Sequence, residues 1–140
     1  MTLSSSGFDN LGISPSLLAV LAGLKFEEPT PIQRQAIPEA IAGHDLIGIA
    51  QTGTGKTLAF GIPMVQRLAT SHRTGLVLVP TRELAIQVNE TLTRLTTAMR
   101  LRTALLIGGE SMYTQIQRLR QDPCIIVATL AAFRVEDTEG

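Results

Sequence analysis

The 140-residue sequence predicts an α/β fold, a parallel sheet of about four strands flanked by helices. Three observations carry that expectation. Short apolar runs at 46–50, 76–79, 103–107 and 124–128 alternate with longer amphipathic stretches, the rhythm of strand, helix, strand. A Gly-rich run, Ala50 to Thr57 (AQTGTGKT), stands where the first apolar run gives way to a helix-like stretch. Turn residues punctuate the junctions at Gly43, Pro80, Gly108-Gly109 and Asp122-Pro123.

Taken in order, Ser14 is placed to cap a first helix with Pro15 at its first position, and Gly23 is expected to stop it. A second helix starts at Thr30-Pro31, is expected to be interrupted near Pro38, and ends at Gly43. Residues 46–50 read as the first strand. The helix that follows from about Gly55 contains Gly61 and Pro63, which predict a bend or an early break. Leu76 to Val79 is the second strand. Leu84, Val88, Leu92, Leu95 and Met99 then recur at helical spacing, so one face of that helix is buried. Thr103 to Ile107 is the third strand, Ser111 caps a helix through Leu119, and Asp122-Pro123 turns into the fourth strand, Cys124 to Ala128. In such a sheet every strand-to-helix loop falls on one edge, where ligands bind.

Composition narrows the function. Twelve Lys and Arg balance twelve Asp and Glu, so any nucleic-acid contact is local rather than a broad basic face. With 44% hydrophobic residues the chain has the bulk for one packed domain. Cys124, the sole cysteine, sits in the apolar run CIIVA and reads as a small buried hydrophobe. His44 and His72 lie in polar connectors and read as solvated. The opening MTLSSSGFDN lacks the basic and apolar regions of a leader, and no apolar run reaches the length of a membrane span; a cytoplasmic setting is expected.

The run from Ala50 to Thr57 has the chemistry of a phosphate-binding loop. A Gly-rich turn at a helix N-terminus meets anionic oxygens with main-chain N–H groups and the positive end of the helix dipole. Gly53 and Gly55 let the backbone approach, Lys56 reaches the β- and γ-phosphates, and the Thr57 hydroxyl is a Mg²⁺ ligand. The bland alternative is a Gly-rich connector carrying a surface lysine.

With these residues in view, the chain from about Phe8 to Thr129 resembles the N-terminal part of the first RecA-like domain of DEAD-box RNA helicases. KFEEPTPIQ, Lys25 to Gln33, resembles the family's Q motif, with Phe8 at the place of its isolated upstream aromatic and Lys25 where the family usually has Gly. The resemblance implies ATP and Mg²⁺ as cofactors. It implies a binding set of Phe8, Phe26, Thr30, Gln33, Ala50, Gln51, Thr52, Gly53, Thr54, Gly55, Lys56 and Thr57, with Gln33 reading the adenine edge and Phe26 covering its ring. A carboxamide offers the donor and acceptor that adenine N7 and N6–H require. Thr30-Pro31-Ile32-Gln33 is equally a capping box, and Phe26 equally a hydrophobic staple. Pro80, Thr81 and Arg82 of PTREL, Gly108-Gly109 and Thr129 resemble the RNA-facing motifs, which grip single-stranded or duplex RNA through phosphates. Thr81 and Glu83 also suit a helix start, and Gly108-Gly109 an ordinary turn. Arg82 does not suit one, since a cation at the positive end of a helix is disfavoured by about 0.3–1 kcal/mol.

On this reading residues 1–43 form a helical segment with the Q-like motif, 44–129 a partial RecA-like ATP-binding domain, and 130–140 a divergent tail. The family continues Pro-Gly-Arg after its equivalent of Thr129, whereas this chain reads Leu130-Ala131-Ala132-Phe133-Arg134, and no Asp-Glu-Ala-Asp segment follows. Glu136, Asp137 and Glu139 are not expected to replace it, so no catalytic residue is assigned. The expectation is an ATP-binding fragment of an RNA helicase, inactive in hydrolysis alone and open to a missing domain or protein partner. A non-catalytic nucleotide- or RNA-binding module and an unrelated P-loop kinase or GTPase are the alternatives.

Overall fold

The computed structural model describes residues 7–133 apart from 52 and 54. In chain order these form α1 (Pro15–Gly23), α2 (Pro31–Ile41), α3 (Lys56–Ala69), β1 (Gly75–Val79), α4 (Arg82–Ala98), β2 (Thr103–Leu106), α5 (Met112–Leu119), β3 (Ile125–Thr129) and a 3-10 turn, Leu130–Phe133. The sheet is parallel with order β1-β3-β2, Gly75 and Thr103 both aligned with Ile125. α4 carries the chain from β1 to β2 and α5 from β2 to β3, as parallel strands require. The core runs through Leu17 and Leu21 of α1, Ile37 of α2, Ile62 and Val65 of α3, Leu92 and Leu95 of α4, and Ile125 and Val127 of β3. Among the described residues no helix is long and apolar enough to cross a membrane.

Several expectations are corrected. Residues 46–50 form no strand, and the sheet has three strands among the described residues rather than about four. β1 pairs only with β3, so this apolar run has no ladder to join, and Ile47 and Ile49 are 96% and 92% exposed. α2 passes through Pro38 unbroken and α3 through Gly61 and Pro63. A helix-interior Pro costs about 3 kcal/mol, and here tertiary burial outweighs it: Ile37 of α2 and Ile62 and Val65 of α3 are fully buried. Gly61 serves packing instead of bending, since a Cβ there would stand 2.6 Å from Leu92 Cδ2 of α4. On α4 the buried face turns onto Ala85, leaving Leu84 exposed.

α1 ends at Gly23 as expected, and the left-handed turn that closes it falls two residues on, at Lys25. Lys25 N–H donates to Ala22 O and Phe26 N–H to Leu21 O, a Schellman ending, with Lys25 at φ 64° in the position that favours Gly. α2 closes similarly at Gly43 (φ 92°) and α4 at Arg100 (φ 59°). Gln66 of α3 ties the opening segment down, accepting from Ser14 N–H at 2.8 Å and donating to Gly12 O at 3.1 Å. His44 is exposed but not solitary, with Nδ1 2.7 Å from Glu39 Oε2. Partial burial raises the Cys124 thiol pKa above its ordinary value.

Candidate phosphate-loop site

The loop is shaped by two left-handed glycines, Gly53 at φ 83° and Gly55 at φ 82°. Gly55 is the N-cap of α3, and no side chain caps that helix. Among the described residues no side-chain acceptor is recorded at its first N–H groups, and no acidic residue occupies its first turn, which suits the positive helix end to an anion. Lys56, exposed, and Thr57, half-buried, occupy the first two helical positions. Ala50 is half-buried and Gln51 exposed. Thr52 and Thr54 lie outside the described residues, as do Glu136, Asp137 and Glu139.

The Gln33 carboxamide spans from α2 to the loop. Its Oε1 accepts from Thr30 N–H at 2.9 Å, and its Nε2 donates to Gly55 O at 3.0 Å. The same Gly55 O accepts from Ala59 N–H at 3.2 Å, the first bond of α3. Gln33 is only 3% exposed, so its two bonds hold a buried polar group satisfied. A Cβ on Gly55 would collide with Gln33 Nε2 and stand 3.1 Å from Thr30 Oγ1, so only Gly fits. Thr30 and Gln33 have the reciprocal disposition of a capping box, but Thr30 Oγ1 is buried without a hydrogen-bond partner beside the loop. Of the capping box expected from the sequence, the Gln33 half is hydrogen-bonded and the Thr30 half is not. The bond to Gly55, across twenty-two residues, was beyond local patterns. One N–H and one lone pair of the carboxamide remain for a ligand.

The aromatic residues separate. Phe26 is half-buried, with the Arg94 guanidinium 5.0 Å from its ring centroid. Phe8 is 1% exposed inside the core, which gives it a packing role in this structure and leaves no open ring face for a base.

At the carboxyl ends of the strands, Thr81 caps α4, its Oγ1 accepting from Leu84 N–H at 3.1 Å. Pro80 and Arg82 beside it are exposed. Gly109, at φ 88°, approaches Arg82 so closely that a Cβ would lie 3.1 Å from Nη1. The loops after β1 and β2 therefore meet, with Arg82 at the junction and Gly108 half-buried next to it. Thr129, at the end of β3, is 4% exposed and its Oγ1 has no partner. Sequence reasoning missed the brace behind these loops: Arg118 of α5 pairs with Glu110 and donates to Leu105 O, and Gln115 donates to Ile107 O. Ser111, the helix cap, was the available signal that α5 would fold back here. Among the described residues no three His, Cys, Asp or Glu side chains group to hold a metal.

Residues 30–137 match the DEAD/DEAH box helicase family. Over 99% of its length the chain is 48% identical to the ATP-dependent rRNA helicase RRP3 of Debaryomyces hansenii, and it is 48% identical over 87% of its length to the DEAD-box ATP-dependent RNA helicase CshA of Bacillus cereus. It spans 30% and 24% of the length of those two relatives. Among solved structures, the RNA helicase Prp28 from Chaetomium thermophilum bound to ADP superposes with a TM-score of 0.79 at 34% identity, over 92% of this chain and 33% of that one. A DEAD box protein from Methanococcus jannaschii superposes with a TM-score of 0.80 at 34% identity, over 89% of this chain and 35% of that one.

Proposed function

The chain belongs to the DEAD/DEAH box helicase family, and from that premise we propose that it supplies the adenine-nucleotide site and part of the RNA surface of an ATP-dependent RNA helicase. The observation that carries this reading is the Gln33 bridge, because it joins the Q-like segment to the phosphate loop in one rigid piece.

The residues fit the ligand: left-handed Gly53 and Gly55 keep side chains out of the loop, and α3 begins without a side-chain cap. Bound ATP with Mg²⁺ would supply the γ-phosphoryl transfer to water that drives remodelling. Lys56 neutralises phosphate charge, and Thr57 offers a hydroxyl to the metal, which needs few protein ligands when phosphates supply the rest. Gln33 offers its unused N–H and lone pair to adenine, and Phe26 the exposed part of its half-buried ring. Arg82, Thr81 and Pro80, with Gly108, Gly109 and Thr129, form the phosphate-gripping edge for RNA, independent of base sequence. The test titrates a fluorescent adenine nucleotide with Mg²⁺ against the native chain and Lys56→Ala. At least tenfold weaker binding by the variant is expected, and equal affinity refutes the site.

A further inference from the structure

The loop after β2 sets a carboxylate beside the edge read as phosphate-gripping. Glu110 follows Gly108-Gly109 directly and is half-buried. Across the junction stands Arg82, close enough that a Cβ on Gly109 would lie 3.1 Å from its Nη1. A free carboxylate one residue further on would act against RNA in two ways. It would repel a phosphate, since charges are felt over about 10 Å at 0.1 M salt. It would also compete for the Arg82 guanidinium, whose fork of donors suits a carboxylate as well as a phosphate.

Neither arrangement is present. Glu110 pairs with Arg118 of α5, and Arg82 makes no ion pair among the described residues, either with Glu110 or with Glu83 beside it. Arg118 is itself fixed in place, because the Nη1 that meets Glu110 also donates to Leu105 O at 2.8 Å. Gln115, earlier on α5, donates to Ile107 O at 2.7 Å, and Ser111 caps the helix, so the segment 107–111 is fastened to α5 at both ends. We propose that Arg118 is a positioning residue for RNA binding: by sequestering Glu110 it leaves Arg82 unpaired and ready for a phosphate. This rests on the reading of Arg82 and Gly108-Gly109 as RNA-facing. Arg118 acts through Glu110 and not by touching RNA. A pair that merely braced the loop would suffer equally from the loss of either partner. Sequestration makes the two losses unequal, since removing Arg118 frees the carboxylate and removing Glu110 abolishes it.

The test measures binding of a fluorescent single-stranded RNA to the full 140-residue chain over a series of salt concentrations. Arg118→Ala should weaken binding at least fivefold and lower the salt slope by about 0.7, the share of one phosphate contact. Glu110→Gln should bind at least as tightly as the native chain, and Arg118→Ala combined with Glu110→Gln should recover native affinity and slope. Equal loss in the two single variants, or no recovery in the double, overturns the proposal and leaves a brace. Urea unfolding separates the sequestration from the RNA reading. The midpoint shifts of Arg82→Ala and Glu110→Gln should add in the native chain and fail to add in the Arg118→Ala chain, where the two side chains pair. Additive shifts in the Arg118→Ala chain overturn the proposal without any RNA present. Non-additive shifts there, with RNA binding that Arg82→Ala leaves unchanged, overturn the RNA reading and the role built on it.

Discussion

Gln33→Glu separates a helix cap from a support of the phosphate loop. The introduced carboxyl still accepts from Thr30 N–H, so the cap survives, but when ionised it has nothing to donate to Gly55 O, 3.0 Å away in the present structure. Gly55 O keeps its bond from Ala59 N–H and is not orphaned, so the direct loss is that of one hydrogen bond, about 0.5–1.5 kcal/mol. The greater cost is a carboxylate facing a carbonyl oxygen at a position 3% exposed, which adds roughly 1–3 kcal/mol. The nearby loop can yield more cheaply than the packed α2–α3 contact, so the cost falls on loop geometry. A total of about 1.5–4.5 kcal/mol corresponds to roughly 10- to 1,600-fold in affinity. The assay is calorimetric titration with Mg²⁺ and inorganic tripolyphosphate, which has phosphates but no base. Weak binding is expected at pH 8. At pH 5 it should recover toward native, because burial favours the protonated carboxyl, whose O–H can again donate to Gly55 O. Tripolyphosphate affinity equal to native at pH 8 would refute the support role and leave only the cap.

Lys25→Gly should stabilise the chain by about 0.5–1 kcal/mol. Relief of a left-handed residue gains roughly 1–2 kcal/mol and the added unfolded-state freedom of Gly returns roughly 0.5–1; a higher urea midpoint at unchanged slope is the expected reading. Arg82→Ala should weaken RNA binding for all sequences alike and lower the salt slope of binding to a single strand by about 0.7, the share of one phosphate contact. Cys124 should alkylate several-fold more slowly in the native chain at pH 8 than in denaturant, because burial raises its pKa and lowers the thiolate fraction. The same shift links folding to pH: the stability that Cys124 contributes is intact below the ordinary thiol pKa and is lost as pH rises through the native value.

Local chemistry was legible in the sequence, and partnership was not. Ser14, Thr81 and Ser111 cap the helices expected of them, because a cap and its N–H lie within three residues. β1, β2 and β3 fall within a residue of the apolar runs that announced them. Leu46 to Ala50 has the same pattern and forms no strand, since apolarity states a demand for burial without supplying the neighbour that meets it. Pro38 and Pro63 misled for the converse reason: a local penalty was outweighed by contacts between α2 and α3 that no window of sequence contains. At the site, Gly53, Gly55 and Lys56 were readable from a short motif. The reach of Gln33 to Gly55 and the approach of Gly109 to Arg82 exist only after the chain has folded.

The clamp from Gln66 onto Ser14 and Gly12 has a consequence for how the chain is made. Fifty-two residues separate Ser14 from its acceptor, and α4, which α1 contacts, comes later still. At translation speeds of roughly 5–20 residues per second, the opening segment leaves the ribosome about 3–10 s before Gln66 does. Through that interval α1 is a nascent apolar helix with nowhere to dock. Its surface is then open to any chaperone that waits at the exit tunnel.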